Sequence, residues 1–382
     1  MKGERTNTVW TAAVLHGLND GYGGFLSALM PLLIDRLGLS LALAGGLSSL
    51  RMVAASFAQP LAGHLADRLG YRTFLLLGPG VTCTVMALLF HFPGYLPLGA
   101  ALVLAGLGTA AFHPAGAALA GSGGGARGYV MSVFLAGGTV GAALGPLFIA
   151  WFVDRWGIEH MPWLLLPAWG ALGVGLALVP RGGASSRPQR LLALPRAQLW
   201  TLGLLWGIAV LRALVGIAYR SFLAVLLVQR GAPLTLGGAA LALFALCGAL
   251  GGIVGGRLSD RFGRKYVIAL SLLAAVPAFY GLLFAQGAWT VLFLILAGFF
   301  LTASNPVSVA YGQELFPEHQ GTVSGVLLGL SWGLRALLAP LIGHLGDLWG
   351  LERALALVSG ALLPAAGAAL FLPRENRDPS SA

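Results

Sequence analysis

Long apolar runs separated by short polar turns make up most of the 382-residue chain. They fall at roughly 8–36, 41–66, 73–92, 95–120, 128–153, 161–180, 198–229, 234–257, 266–286, 288–314, 320–346 and 352–372. Backbone polar groups in lipid must be satisfied within their own segment, so long apolar runs become helices. Crossing the hydrocarbon core takes about 20 helical residues. The pattern therefore predicts an all-α membrane protein with twelve transmembrane helices. The longest runs imply tilt, or extension beyond the bilayer. Pro31, Pro146, Pro306 and Pro340 lie inside runs and are expected to bend or end their helices.

The polar punctuation gives organisation and orientation. The longest connection, RGGASSRPQRLLALPRA at 181–197, is rich in Gly, Ser, Pro and Arg and reads as a linker. It divides the chain into an N-terminal six-helix bundle (1–180) and a C-terminal one (198–382). Of the 23 Lys and Arg residues, 15 fall on the side that carries both chain ends and 4 on the other. The positive-inside bias places both termini in the cytoplasm, in a bacterial plasma (inner) membrane. The short polar start runs straight into the first apolar segment with no small-residue cleavage site, so that segment is expected to be retained.

Composition agrees. Hydrophobic residues make up 57% and charged residues only 9%, where a soluble domain has about 25% charged. The net charge of +10 sits in short loops, which argues against nucleic acid as a partner. Cys83 and Cys247 lie in apolar runs without disulfide-framework or metal-ligand spacing. The 57 glycines suit close approach of helices.

The chain repeats itself. GHLADRLGYR at 63–72 returns as GRLSDRFGRK at 256–265, and DRWGIEH at 154–160 as DLWGLER at 347–353, both 193 residues on. LAG at 104–106 returns at 296–298, and Pro114 is matched by Pro306, both 192 residues on. Chance resemblance of apolar helices explains LAG but not the charged loops, so the halves are read as a duplication.

The paired DRxG loops resemble the signature loop of the major facilitator superfamily, and the resemblance covers the whole chain. It implies two pseudo-symmetric bundles around a midplane cavity lined by spans 1, 4, 7 and 10, with alternating access by rocking. It also implies conformational gating by Asp67, Arg68, Asp260 and Arg261. A carboxylate at a helix end can meet the N–H groups and dipole of a neighbouring helix start. The plainer reading is that these charges fix topology and solvate a turn. In span 5, GGTVGAALGPLFIA places Gly141, Gly145 and Pro146 in a pattern similar to the superfamily's antiporter motif. The Gly-Gly that should follow is absent, as is the arginine usual in span 4 of proton antiporters. Small residues four apart also simply allow close packing.

Ionisable groups at membrane depth are costly and point to function. Span 1 carries LHGLNDGYGG, with His16 and Asp20 four apart on one face and Asn19 beside them. Desolvation disfavours a charged carboxylate there. Asp20 is thus a candidate proton carrier or the partner of a buried arginine. His113, before Pro114, is a candidate proton relay or a structural histidine bonded to a freed carbonyl. Arginine needs a partner or water when buried, and Arg51, Arg212, Arg220 and Arg335 all lie within runs. Arg220, nearer a span end, can snorkel. Arg51, Arg212 and Arg335, with Asn19, Asn305 and Tyr219, are the expected substrate contacts, and surplus positive charge favours an anion. No flanking ligand pattern points to a metal.

HGLND in span 1, FHP in span 4 and the GG…GxxxGP run of span 5 together resemble the fosmidomycin-resistance family of bacterial efflux proteins. That resemblance implies proton-driven export of drugs, an anionic phosphonate antibiotic among them. Import of an organic anion by proton symport remains an alternative, and a membrane-embedded enzyme or receptor a further one. The glycine-rich GSGGGARG at 121–128 lacks the Gly-Lys-Ser/Thr of a phosphate-binding loop. No ATPase signature and no hydrolytic constellation appears, so an ion gradient is the expected energy source. The chain is read as a non-enzyme without cofactor. Its expected partners are a small-molecule substrate, protons and membrane lipids, with the protein acting as a monomer.

Overall fold

The computed structural model describes residues 2–122, 127–179, 199–315, 323, 327 and 331–373. Among these there are helices and no strand. The first predicted span is a pair, α1 (Lys2–Gly23) and α2 (Phe25–Leu37), and so is the second, α3 (Leu41–Phe57) and α4 (Gln59–Leu69). Next come α5 (Tyr71–Ala87), α6 (Tyr95–Ser122), α7 (Arg127–Trp156) and α8 (Leu165–Leu178), the last led in by a 3-10 turn at Ile158–Leu164. The later spans are α9 (Leu199–Gln229), α10 (Leu234–Phe262), α11 (Arg264–Phe284), α12 (Ala288–Leu315) and α13 (Ser331–Trp349). The last is a pair, α14 (Leu351–Gly360) and α15 (Leu362–Ala369).

Every predicted run thus carries a helix or a helix pair. Among the described residues, 8 spans are long and apolar enough to cross a membrane unaided, and a ninth forms if α3 and α4 are joined across their 41° bend. That bend falls at Ala58, just before Pro60 in the first turn of α4, where proline is tolerated but cannot continue a helix. Other prolines are absorbed: Pro79, Pro114, Pro146, Pro277, Pro306 and Pro340 sit inside continuous helices. The linker at 181–197 and the side chains of Asp67 and Arg335 lie outside the described residues.

The duplicated loops have a backbone cause. Gly70 and Gly263, which end the two DRxG segments, have φ of 96° and 104°, and Gly157 and Gly350 have 85° and 88°. All four stand between one helix and the next, where L side chains are strained. The repeat therefore preserves glycine because the chain turns there through a conformation closed to other residues.

Close packing uses glycine in register. A Cβ on Gly137, Gly141 or Gly145 of α7 would strike the carbonyls of Ala13, Gly17 and Gly21 on α1. A similar stair joins Gly251 and Gly255 of α10 to the carbonyls of Phe299 and Ala303 on α12. Small residues four apart bring the backbones together. An apolar groove of about 560 Å³, lined by Trp10, Val14, Val140 and Phe148 among others, runs along α1 and α7.

The chain forms two compact units. One contains Met1–Pro188 with Arg220–Ala242 and Ala339–Asp347; the other contains Gln189–Tyr219, Leu243–Leu338 and Leu348–Ala382. Within the first unit two carboxylates cap helix starts. Asp347 Oδ1 and Oδ2, at the end of α13, accept from the Leu41 and Ala42 N–H groups of α3 at 2.7 and 2.9 Å. Asp154, at the end of α7, accepts from the N–H of Thr235 on α10 at 3.1 Å and from its hydroxyl. Such caps satisfy orphan helix N–H groups and meet the positive end of the dipole.

Candidate functional site

α1 presents His16, Asn19 and Asp20 from its C-terminal half, and α6 brings His113 to meet them. His16 Nε2 lies 3.3 Å from Asp20 Oδ2, and His113 Nε2 lies 3.4 Å from Asp20 Oδ1. Asn19 Nδ2 donates to the same Oδ1 at 2.9 Å. His16, Asp20 and His113 each offer a ligand atom within 4.8 Å of the others. The spacing suits shared protons, and it would also admit a small cation.

Backbone carbonyls hold both rings. His16 Nδ1 donates to the Phe134 carbonyl at 2.8 Å, and His113 Nδ1 donates to the Thr109 carbonyl at 3.0 Å. A carbonyl only accepts, so each Nδ1 carries its hydrogen and each Nε2 is the atom left to exchange protons. His16 is wedged further: its ring stacks on Phe134 at 4.2 Å between centroids and tilts against Phe112 at 5.4 Å. Gly138, one turn along α7 from Phe134, leaves the room this needs, since a Cβ there would strike the His16 ring. The glycine run of α7 thus has two physical tasks, approach to α1 and space for an imidazole. Sequence reasoning missed the second because helix spacing alone does not say which glycine faces a side chain.

The members differ in access. His16 and Asn19 are buried, at 4% and 1% exposure, whereas the side chains of Asp20 and His113 are 23% and 29% exposed. The cluster is therefore open to its surroundings on the Asp20 and His113 side. Arg51 reaches from α3 to within contact of Gly23, one turn past Asp20, and interacts electrostatically with that carboxylate.

In the second unit the predicted polar residues pair differently. Arg212 of α9, 9% exposed, donates to Asn305 Oδ1 of α12 at 2.8 Å. Tyr219 is fully buried, its ring 4.4 Å from that of Phe279 and its hydroxyl 3.0 Å from Ser359 Oγ. Arg220 is exposed.

Of the loop charges, Asp260 accepts from Arg264 at 2.6 Å, and Arg264 pairs with Glu314 of α12 at 2.7 Å. Arg68 and Arg261 are exposed. Contacts of a carboxylate with the start of another helix are made at the opposite end of the same helices, by Asp154 and Asp347. The repeated DRWG and DLWG segments were visible in sequence, but their partners lie 81 and about 306 residues away, beyond local reasoning.

Comparison with known proteins matches the chain to the family described as Major Facilitator Superfamily, over residues 9–334 and 205–381. The Fosmidomycin resistance protein of Escherichia coli (strain K12) is 30% identical over 380 residues, covering 95% of this chain and 91% of that protein. The MFS-type transporter YfnC of Bacillus subtilis (strain 168) is 28% identical, covering 94% and 90%. Among solved structures, a bacterial homolog of the human lysosomal transporter Spinster, inward-facing and occupied, has a TM-score of 0.80 at 17% identity, with 96% of each chain covered. A mutant of the nucleoside transporter NupG has a TM-score of 0.79 at 16% identity, covering 96% of this chain and 99% of that one.

Proposed function

The chain belongs to the Major Facilitator Superfamily, and we propose that it is a proton-coupled antiporter that exports small amphiphilic or anionic compounds by alternating access. Family and fold are those of multi-pass membrane transporters. The observation that carries the proton reading is Asp20 held between two histidine Nε2 atoms within the first predicted span. Groups of this kind bind and release protons in response to small changes in surroundings, and intramembrane carboxylate–histidine chains serve as proton relays. Arg212, kept in place by Asn305, supplies a fixed positive charge for an anionic substrate, with Arg51 as a second. Arg335, Asn19 and Tyr219 complete the proposed contacts. Asp67, Arg68, Asp260 and Arg261, with Gly141, Gly145 and Pro146, are proposed to take part in the conformational change.

The likeness to a fosmidomycin resistance protein makes that phosphonate the first compound to test. In inside-out membrane vesicles with an acidic lumen, the antiporter accumulates it, and collapsing the pH difference releases it. A second reading, import of an organic anion by proton symport, draws on the charge count: protons on the cluster add to Arg51 and favour an anion in the same step. Right-side-out vesicles in acidic medium would then accumulate the compound, and the inside-out preparation would not. The proposal places the protein in a bacterial plasma membrane with both ends in the cytoplasm, working as a monomer.

A further inference from the structure

Zinc binds nitrogen and oxygen lone pairs at about 2.0–2.2 Å, so the donor atoms around one ion lie about 3–3.5 Å apart. The Nε2 atoms of His16 and His113 stand 3.3 and 3.4 Å from the two oxygens of Asp20. One donor atom from each of the three residues lies within 4.8 Å of the others. The two rings meet edge to face, at 82° with 5.1 Å between centroids. Each spends its Nδ1–H on a backbone carbonyl. A metal-binding imidazole is commonly held by such an outer bond, which fixes the ring and leaves Nε2 with its lone pair. A fourth group adjoins the same place. Asn19 is 1% exposed, and its Nδ2 donates to Asp20 Oδ1 at 2.9 Å. Its Oδ1 is buried with no hydrogen-bond partner among the described residues. A half-turn of the amide exchanges the two atoms. The orphaned oxygen then stands beside the carboxylate, an approach that two acceptors keep only across a cation.

We propose that His16, Asn19, Asp20 and His113 form a binding site for one divalent transition-metal ion of the zinc kind. The two imidazole nitrogens and the carboxylate are ligands, and the amide oxygen of Asn19 is the fourth. The partly exposed side of Asp20 and His113 leaves a position open to water or an anion. Imidazole nitrogen selects such an ion over magnesium or calcium, which prefer oxygen donors. Arg51 of α3 interacts with Asp20, opposes the ion's charge and limits how tightly it is held. The ligands come from two helices, so no spacing along the chain announced them. If the proposed function holds, an ion here occupies the groups that carry protons, and gradient-driven transport stops. Binding itself rests on neither substrate nor gradient.

The test uses the metal alone. Full-length protein without an affinity tag is purified in detergent, stripped with a chelator and titrated with Zn²⁺ by calorimetry. Co²⁺ serves as a coloured reporter that Zn²⁺ displaces. One ion per chain is expected, and His113→Gln and Asp20→Asn should each weaken binding tenfold or more. Glu159→Gln, at the exposed pair that Glu159 makes with His160, should leave binding unchanged. A wild-type protein that takes up no ion overturns the proposal. So does binding that survives both variants or is lost with Glu159→Gln, since the ion is then adventitious. Nitrogen-15 histidine NMR of the wild type reads the site without depending on a variant's folding. Of the 7 histidines, zinc should shift the Nε2 signals of two, and a shift at none or at one overturns the proposal. Transport plays no part in these measurements, so their failure leaves the proposed function standing, and its failure leaves the site standing.

Discussion

Asp20 and Arg212 stand 192 residues apart, and so do His113 and Asn305. The duplication thus sets two equivalent pairs on equivalent helices, each within its own unit. On the first, Asp20 meets His113 at 3.4 Å; on the second, Arg212 meets Asn305 at 2.8 Å. The third member, His16, is matched by the buried Ile208. One position has thereby become a group of three residues that can change charge, and its twin a cation that cannot, since a guanidinium keeps its proton in a protein. The common scaffold shows that the helix crossing, not the side-chain chemistry, is what both halves share. On the proposed function, a half that can change charge and a half that keeps it divide the labour between ion and substrate.

That division can be broken at four points. The largest effect is expected from Asp20→Asn, which leaves both histidines without a counter-ion. Gradient-driven uptake in proteoliposomes should fall to the level of protein-free vesicles, while exchange of substrate across the bilayer persists in part. Retained coupling would remove the first half from the mechanism. Next comes Arg212→Gln, where a charged hydrogen bond worth about 1.5–3 kcal/mol is at stake. The half-saturating concentration for an anionic compound should rise about tenfold or more, with the pH profile unmoved. A shifted pH profile would mean that the halves do not divide the work as described.

Gly138→Ala is smaller in scale. The added methyl presses on the His16 ring, and overpacking of this kind costs about 1–3 kcal/mol. A lowered melting temperature and a moved pH profile are expected together, whereas the same change at Gly203, where a Cβ meets open space, should do neither. The smallest effect belongs to Asp154→Ala and Asp347→Ala, which leave no side-chain acceptor for the helix starts. Loss of a helix cap costs about 1 kcal/mol, and thermal melting of the single and double variants should show the two losses adding.

The helices were legible in the sequence because lipid imposes one strong rule, and the duplication was legible because charged loops rarely repeat by chance. The polar residues of α1 were also legible, since spacing of four on a helix puts His16 and Asp20 on one face. What stayed hidden was whatever depended on a second helix. Nothing near His113 in sequence says that it reaches Asp20, or that Phe134 and Thr109 carbonyls select the tautomer of each ring. The partner of the Tyr219 hydroxyl was hidden in the same way, since it is Ser359 on a helix 140 residues away.

The carboxylates at 154 and 347 carry a further meaning. The end of the fifth span holds the start of the eighth, and the end of the eleventh holds the start of the second. Shifted by 193 residues, each contact becomes the other. This reciprocity is that of an isologous dimer interface, in which residue i of one copy touches j of its mate and j touches i. One carboxylate and one helix start, each occurring twice along the chain, therefore account for both contacts.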